Sequence, residues 1–451
     1  MGISSRSINM LEGPFFRKIL WFTVPLAASG MLQLLFNAAD VIVVGRFAGK
    51  QALAAVSSNG SLINLMINMF MGLSVGTNVL CSRFVGAQNS DGVHQTVHTA
   101  IGVSLIGGIL LAISGCIAAR PLLTLMGSPS DVIELATLYL RIYFISTPAN
   151  ALYNFGSALL RSVGDTRRPL FCLAVSGTLN VVLNLIFVIG FHMSVAGVAL
   201  ASVISQGLAA IMVVWILIHE QGILHLDLYD LHVNHKVLVQ MLRIGIPAGL
   251  QGTLFAFSNV VIQSAVNSFG ATVIAGSGAA ANLERFIYVA MNSCSQACTT
   301  FSSQNAGAQN FRNVDRILGC SLFIVLLIGG AMGLGITSAG PVLLHLYSTD
   351  LAVIEAGCLR LSVTSSLYFL AGLMEVTVGA LRGLGYSVMP MLVTLLGSCV
   401  LRIVYVLFVF PWFASVQMLF VSFPVAWGIT FLAHVICFLF VRFKFRDAAT
   451  T

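Results

Sequence analysis

Apolar and polar residues along this chain separate into long blocks rather than alternating. Twelve apolar stretches stand out, near 18–44, 52–79, 95–118, 133–158, 169–190, 195–218, 238–265, 273–300, 316–338, 355–380, 389–411 and 416–441. Each is long enough for the roughly 20 residues that an α-helix needs to cross a bilayer core. The longer ones predict tilt or emergence into water. Between them lie short polar segments and one longer one, 219–237. The pattern predicts an all-α polytopic membrane protein with twelve transmembrane helices.

The pattern also repeats. Gly86-Ala87-Gln88-Asn89 recurs as Gly307-Ala308-Gln309-Asn310. Val132-Ile133-Glu134 recurs as Val353-Ile354-Glu355, and Arg161, Gly164 and Pro169 recur as Arg382, Gly385 and Pro390, all at an offset of 221. Pro25, Asn37 and Phe47 recur as Pro247, Asn259 and Phe269 at an offset of 222. A shared offset across separate blocks marks an internal repeat of six spans. An even number of spans returns each half to the same orientation, so the halves are expected to be parallel repeats about an axis along the membrane normal. The expected organisation is an N-terminal six-helix lobe over 1–218, a cytoplasmic linker over 219–237 and a C-terminal six-helix lobe over 238–451.

Composition sharpens this reading. Hydrophobic residues make up 58% of the 451 and charged residues only 8%, against about 25% charged in soluble domains. The net charge of +7 points to basic cytoplasmic loops rather than to nucleic acid. With the N-terminus inside, the cytoplasmic segments collect Arg6, Arg17, Lys18, Arg83, Arg161, Arg167, Arg168, Lys236, Arg243 and the C-terminal Arg442, Lys444 and Arg446, among others. The opposite loops hold only Arg46, Lys50 and Arg120. The positive-inside rule therefore predicts that both termini are cytoplasmic. The apolar stretch after Arg17-Lys18 is expected to be a first span rather than a cleaved leader. Nine cysteines, odd in number and without paired spacing, argue against a disulfide scaffold, and Cys294 and Cys298 read as small buried side chains. No P-loop is present, which argues against direct ATP drive.

Several segments carry a more specific signature. Glu12-Gly13-Pro14, Pro25, Asn37-Ala38-Ala39-Asp40, Gly45-Arg46-Phe47-Ala48-Gly49 and Ala52-Leu53-Ala54-Ala55 together resemble the first-helix region of MATE (multidrug and toxic compound extrusion) transporters of the bacterial type. Gly86-Ala87-Gln88 and its copy are similar to the family's loop after each second span. Leu160-Arg161-Ser162-Val163-Gly164-Asp165 and Leu381-Arg382-Gly383-Leu384-Gly385 are similar to its paired Arg-Gly loops. The resemblance covers nearly the whole chain. It implies two six-helix lobes flanking a central cavity, location in the cell inner membrane, and export of organic cations or drugs driven by Na⁺ or H⁺ entry. No cofactor beyond that coupling ion is expected, no partner beyond substrate and membrane lipids, and a monomer.

Charges at membrane depth cost roughly 2.5–3.5 kcal/mol each on insertion scales, so each calls for a reason. Asp40 has no neutralising neighbour in sequence. Asn180 and Asn184 are four apart and share a helix face; Ser202 lies in the next span. These positions match the resemblance's cation or proton site, with Asn184 standing where the family often has a second carboxylate. The oxygens suit Na⁺, and desolvation equally favours a protonated carboxyl; the residues leave the choice open. Beyond this possible Na⁺ at Asp40 no metal site is expected. In the second half, Glu375, Glu284 and Arg402 are candidates for substrate contact, proton carriage or a buried ion pair of an acid with Arg402 or Arg285. The seventh span offers Asn259 and Gln263 where some relatives have an acid. Pro25 and Pro247 each interrupt a first helix and are candidate hinges. The connector's His219, His225, His232 and His235, with Asp227 and Asp230, are spaced too widely to promise convergent ligands, and a solvated amphipathic connector is expected.

The leading function is secondary active antiport by alternating access. The alternative is a lipid-linked oligosaccharide flippase of the related two-lobe superfamily, which would need a strongly cationic cavity. Enzyme activity is not expected, because no nucleophile–base or metal-ligand constellation is present.

Overall fold

The structure, a computed structural model, describes residues 8–413 and 415–450. Arg6 lies outside them, as does the side chain of Arg446. The described residues contain helices and turns and no strand. The first six spans are α1 (Phe15–Ala48), α2 (Lys50–Gly86), α3 (Ser90–Leu125), the pair α4 (Ile133–Ile145) and α5 (Thr147–Ser162), α6 (Arg167–Gly190) and α7 (Ser194–Ile218). The second six are α8 (His235–Asn267), α9 (Ala271–Gly307), α10 (Phe311–Ser338), the pair α11 (Leu351–Thr364) and α12 (Phe369–Gly383), α13 (Val388–Phe413) and α14 (Val416–Thr450).

Two predicted spans are broken. The stretch 133–158 divides at Ser146, where Pro148 starts α5 in the first turn, the position in which a missing N–H is harmless. The stretch 355–380 divides between α11 and α12, which are bent by 46°. Other helices outrun their apolar cores: α2 and α9 extend to Gly86 and Gly307, adding polar turns beyond the hydrocarbon. Among the described residues nine helices are long and apolar enough to cross a membrane, or ten with the bent pair as one. The remaining two spans are the broken α4–α5 and α9, whose Ser, Thr, Gln and Asn content lowers its hydropathy.

The chain forms two compact units, residues 1–9 with 28–245 and residues 10–27 with 246–451. The divisions fall inside α1 and α8, just after Pro25 and just before Pro247. Both helices run through their prolines without a break. The segment 219–237 belongs wholly to the first unit and is less solvated than its polarity suggests. Leu224 and Leu226 are buried, and Asn234 is tied to Thr99 and Gln95 of α3 at 3.0 and 3.1 Å.

Within the first unit, Leu140, Phe155, Leu159, Leu160, Val198, Val213 and Leu217 form a buried core. Gly108 lets α3 approach the start of α5: a Cβ there would lie 2.5 Å from Cα of Pro148. Asp165, which ends the Arg161–Asp165 motif, orders the turn into α6. Asp165 accepts from the N–H groups of Arg167 and Arg168, both at 3.0 Å, capping α6. Arg168 then bridges Asp165 and Glu220, at the end of α7.

The repeat is visible in the backbone. Gly49 and Gly270 have φ of 88° and 90°, Gln88 and Gln309 of 55° and 61°, Gly164 and Gly385 of 92° and 91°. Each pair keeps the offset of the sequence repeat, so left-handed turns recur at equivalent helix ends in both halves.

Candidate functional site

The first unit gathers its intramembrane polar residues from three helices. Phe36 and Asp40 are one turn apart on α1; Gly177, Asn180 and Asn184 lie along one face of α6. A Cβ on Gly177 would fall 1.9 Å from the Phe36 ring, so only glycine admits this approach of α1 to α6. Further along, one turn on in α1 and two turns on in α6, Asn184 Nδ2 donates to Asp40 Oδ1. Asn184 Nδ2 also donates to Asn180 Oδ1 at 3.2 Å. Asn180 Nδ2 in turn donates to Ser202 Oγ and Ser205 Oγ of α7, at 3.5 and 3.3 Å. The structure thus joins Asp40, Asn180, Asn184 and Ser202 in one hydrogen-bonded chain.

The site is buried and unevenly satisfied. Asn180, Ser202 and Ser205 are buried, and Asn184 is fully enclosed. Asn184 Oδ1 has no hydrogen-bond donor, although a buried amide oxygen ordinarily finds one. That oxygen, beside a carboxylate, is suited to a hard cation or to a donor O–H. Gln206 Oε1 is likewise without a donor, while Gln206 Nε2 reaches the Tyr143 hydroxyl at 3.5 Å. Tyr139 and Tyr143 of α4 are both buried, with ring centroids 6.2 Å apart. Sequence reasoning misses Ser205, Gln206 and the two tyrosines. Ser202, Ser205 and Gln206 do share one face of an otherwise apolar α7, and that spacing is the signal that could find them. Short π-helical stretches follow the site on both helices, at Val44–Ala48 and Ile186–Gly190. Such distortions are frequent at functional sites.

The second unit is organised differently. Glu284 of α9 pairs with Arg360 of α11, not with Arg285 or Arg402. Arg360 Nη2 lies 2.7 Å from Glu284 Oε2 and Nε 3.3 Å from Oε1. Thr364 Oγ1 also donates to Glu284, and Arg360 Nη1 donates to Ser277 Oγ at 2.7 Å. Arg402 is fully buried and has neutral partners. It donates to Ser258 Oγ at 2.9 Å, to Asn259 Oδ1 at 3.3 Å and to the Ser398 carbonyl. The rings of Phe255 and Phe423 lie 5.2 and 4.9 Å from its guanidinium carbon. Asn259, the polar substitute in the seventh span, is therefore engaged by a resident cation. Gln263 bonds Asn267 at 3.0 Å. Glu375 of α12 forms no ion pair among the described residues; Arg382 lies further along the same helix. The nine cysteines are all unbridged.

Comparison with known proteins matches this architecture. The chain is 27% identical over 429 residues to the probable multidrug resistance protein YoeA of Bacillus subtilis (strain 168), covering 92% of each. It is 22% identical to the multidrug export protein MepA of Staphylococcus aureus (strain bovine RF122 / ET3-1), over 83% of each. A solved structure described as the outward-facing conformation of a multidrug resistance MATE family transporter of the MOP superfamily superimposes with a TM-score of 0.91 at 21% identity, over 99% of each chain. The MatE family model matches twice, at residues 25–186 and 247–408. The second match begins at Pro247, the repeat counterpart of the Pro25 that begins the first. Together they cover well over half of the sequence, and this multi-pass membrane protein belongs to the MatE family.

Proposed function

We propose that the protein is a secondary active antiporter that exports organic cations or drugs in exchange for Na⁺ or H⁺, working by alternating access. The observation that carries this reading is the buried chain from Asp40 through Asn184 and Asn180 to Ser202 and Ser205. A carboxylate at membrane depth, next to an amide oxygen without a donor, offers either the oxygen ligands of a hard cation or a protonatable group. A bound cation or proton shifts a conformational equilibrium only through different affinity for the two states. The cluster meets that need because its members come from α1, α6 and α7, and their relative placement sets the coordination. Pro25 and Pro247, beside the divisions of the two units, are the proposed flexure points. The protein is proposed to act as a monomer in the inner membrane with both termini cytoplasmic, as its basic loops suggest.

A flippase for polyprenyl-pyrophosphate sugars would need several uncommitted cations. In the second unit Arg360 is paired with Glu284 and Arg402 is held by hydroxyl, amide and carbonyl oxygens, while Arg382 donates through Nη2 to Gln251 at 2.8 Å and keeps a buried Nε without a partner. This favours antiport.

The test is transport of a cationic dye in proteoliposomes under separately imposed Na⁺ and H⁺ gradients. Dye movement should follow one or both gradients in the wild type. Asp40→Asn should abolish the gradient dependence while leaving the protein folded and inserted. Wild-type gradient-driven rates in Asp40→Asn, at equal reconstitution, would sink the assignment.

A further inference from the structure

The connector's four histidines do not converge. His219, His225 and His232 each turn back to a nearby carbonyl, those of Trp215, Glu220 and Asp230, at 2.9, 3.1 and 2.7 Å. The fold instead brings the connector onto two histidines of α3. His94 and His98 are four residues apart on the first turns of that helix, so their rings share one face, with centroids 4.1 Å apart. Asp230 of the connector reaches the same point: His94 Nε2 lies 3.7 Å from Asp230 Oδ2. One donor atom from each of His94, His98 and Asp230 fits within a mutual distance of 4.8 Å. We propose that His94, His98 and Asp230 form a divalent transition-metal site that staples the 219–237 connector to α3.

The chemistry favours a borderline metal. Two imidazole nitrogens and one carboxylate suit Zn²⁺, Co²⁺ or Ni²⁺ rather than Mg²⁺ or Ca²⁺, which prefer all-oxygen sets. Two histidines at i and i+4 on a helix present both rings to one ion. His98 is prepared for the role. Its Nδ1 donates to the His94 carbonyl at 2.8 Å, which leaves Nε2 as the lone-pair nitrogen facing the connector, where the N–H and the carbonyl oxygen of Asp227 both lie 3.1 Å away. A ligating histidine held by a backbone carbonyl through its other nitrogen is the usual outer-shell arrangement. Metal binding would exchange the Asp227 amide for the ion at Nε2. His94 and Asp230 are the adjustable members, with side chains 42% and 56% exposed. Tetrahedral bonds of about 2.0–2.1 Å set ligand atoms about 3.4 Å apart, so these two close the cluster by at most about 1.4 Å from its 4.8 Å limit. Asp230 is also delivered by a fixed frame. Asn234 anchors the segment to Thr99 and Gln95, and His232, stacked 6.0 Å from His98, holds Asp230 through its carbonyl at 2.7 Å and its Oδ1 at 3.5 Å, leaving Oδ2 facing His94. A water would supply the fourth ligand, as in zinc sites with three protein ligands.

The test uses the full-length protein in detergent, purified on a tag without histidines. Zn²⁺ and Mg²⁺ are titrated while thermal unfolding is followed, and Co²⁺ is titrated for its visible absorption. Expected is a rise in unfolding temperature that saturates at one equivalent of Zn²⁺, is absent with Mg²⁺ and is reversed by chelator. Co²⁺ should give the intense bands of a four-coordinate site. His94→Ala and Asp230→Ala, both on exposed side chains, should each weaken binding at least tenfold. His225→Ala, which removes a connector histidine outside the cluster, should leave it unchanged. Failure to bind one equivalent of Zn²⁺, or equal binding by His94→Ala and Asp230→Ala, overturns the proposal. So does loss of binding in His225→Ala.

Discussion

The Glu284–Arg360 pair makes a quantitative test of how the second unit is held together. Both partners are largely shielded, with side-chain exposures of 7% and 11%, and the guanidinium meets the carboxylate through two nitrogens at 2.7 and 3.3 Å. With charge centres about 4 Å apart and an effective dielectric near 20, their attraction is about 4 kcal/mol. Desolvation offsets much of this in the intact pair, so the net worth of the pair is small, but removing one partner strands the other. Arg360→Met should therefore destabilise the protein by about 3–5 kcal/mol, because Glu284 is left buried with only the hydroxyls of Thr364 and Ser365 to answer it. Glu284→Gln should cost less, since Gln retains acceptors for Arg360 and Thr364. The double variant Arg360→Met/Glu284→Gln should be markedly more stable than additivity predicts, with a coupling energy above about 2 kcal/mol. The assay is reversible unfolding of the purified variants in mixed micelles, with expression and insertion checked in parallel. Arg285→Gln, on an exposed neighbour, is the control and should stay within about 0.5 kcal/mol of wild type. A coupling energy below about 0.5 kcal/mol, or an Arg285 variant as damaging as Arg360→Met, would refute this joining of α9 to α11.

Two further outcomes follow from the site geometry. Gly177→Ala places a methyl against the Phe36 ring; overpacking of this kind costs about 1–3 kcal/mol, and the parting of α1 from α6 should reduce ion-coupled dye transport more than Gly278→Ala, whose Cβ meets nothing within 4 Å. Because Glu375 and Arg402 do not pair, the stability effects of Glu375→Gln and Arg402→Gln should add within about 0.5 kcal/mol in a double-mutant cycle; strong coupling would show that the two side chains interact.

The membrane class, the helical spans and the duplication can be read from the residues alone. These rest on quantities local to the chain. A bilayer demands runs of about 20 apolar residues, and backbone groups without water must bond within their own helix, so hydropathy alone locates the spans. The offset between the two halves needs no structure either, and it reappears as paired left-handed residues such as Gln88 and Gln309. The first-unit site was also legible in its main members, because a lone carboxylate in an apolar span and two asparagines one turn apart are costly unless they meet something.

Which polar groups meet is a matter of folding, not of local pattern. Glu284 has Arg285 beside it in sequence, yet neighbours on a helix point about 100° apart, and its partner Arg360 comes from a different helix, α11. Sequence reasoning offers Arg402 an acid, but the packing of α13 against α8 delivers Ser258 and Asn259 to it instead. The breaks at Ser146 and between α11 and α12 divide continuous apolar stretches, which hydropathy cannot register. The connector's fate was least readable. Its histidines are scattered in sequence, and the two that Asp230 approaches belong to α3, four helices earlier in the chain. Spacing along a chain constrains which residues share a helix face; it does not constrain which faces a fold presses together, because that depends on the summed fit of entire helices.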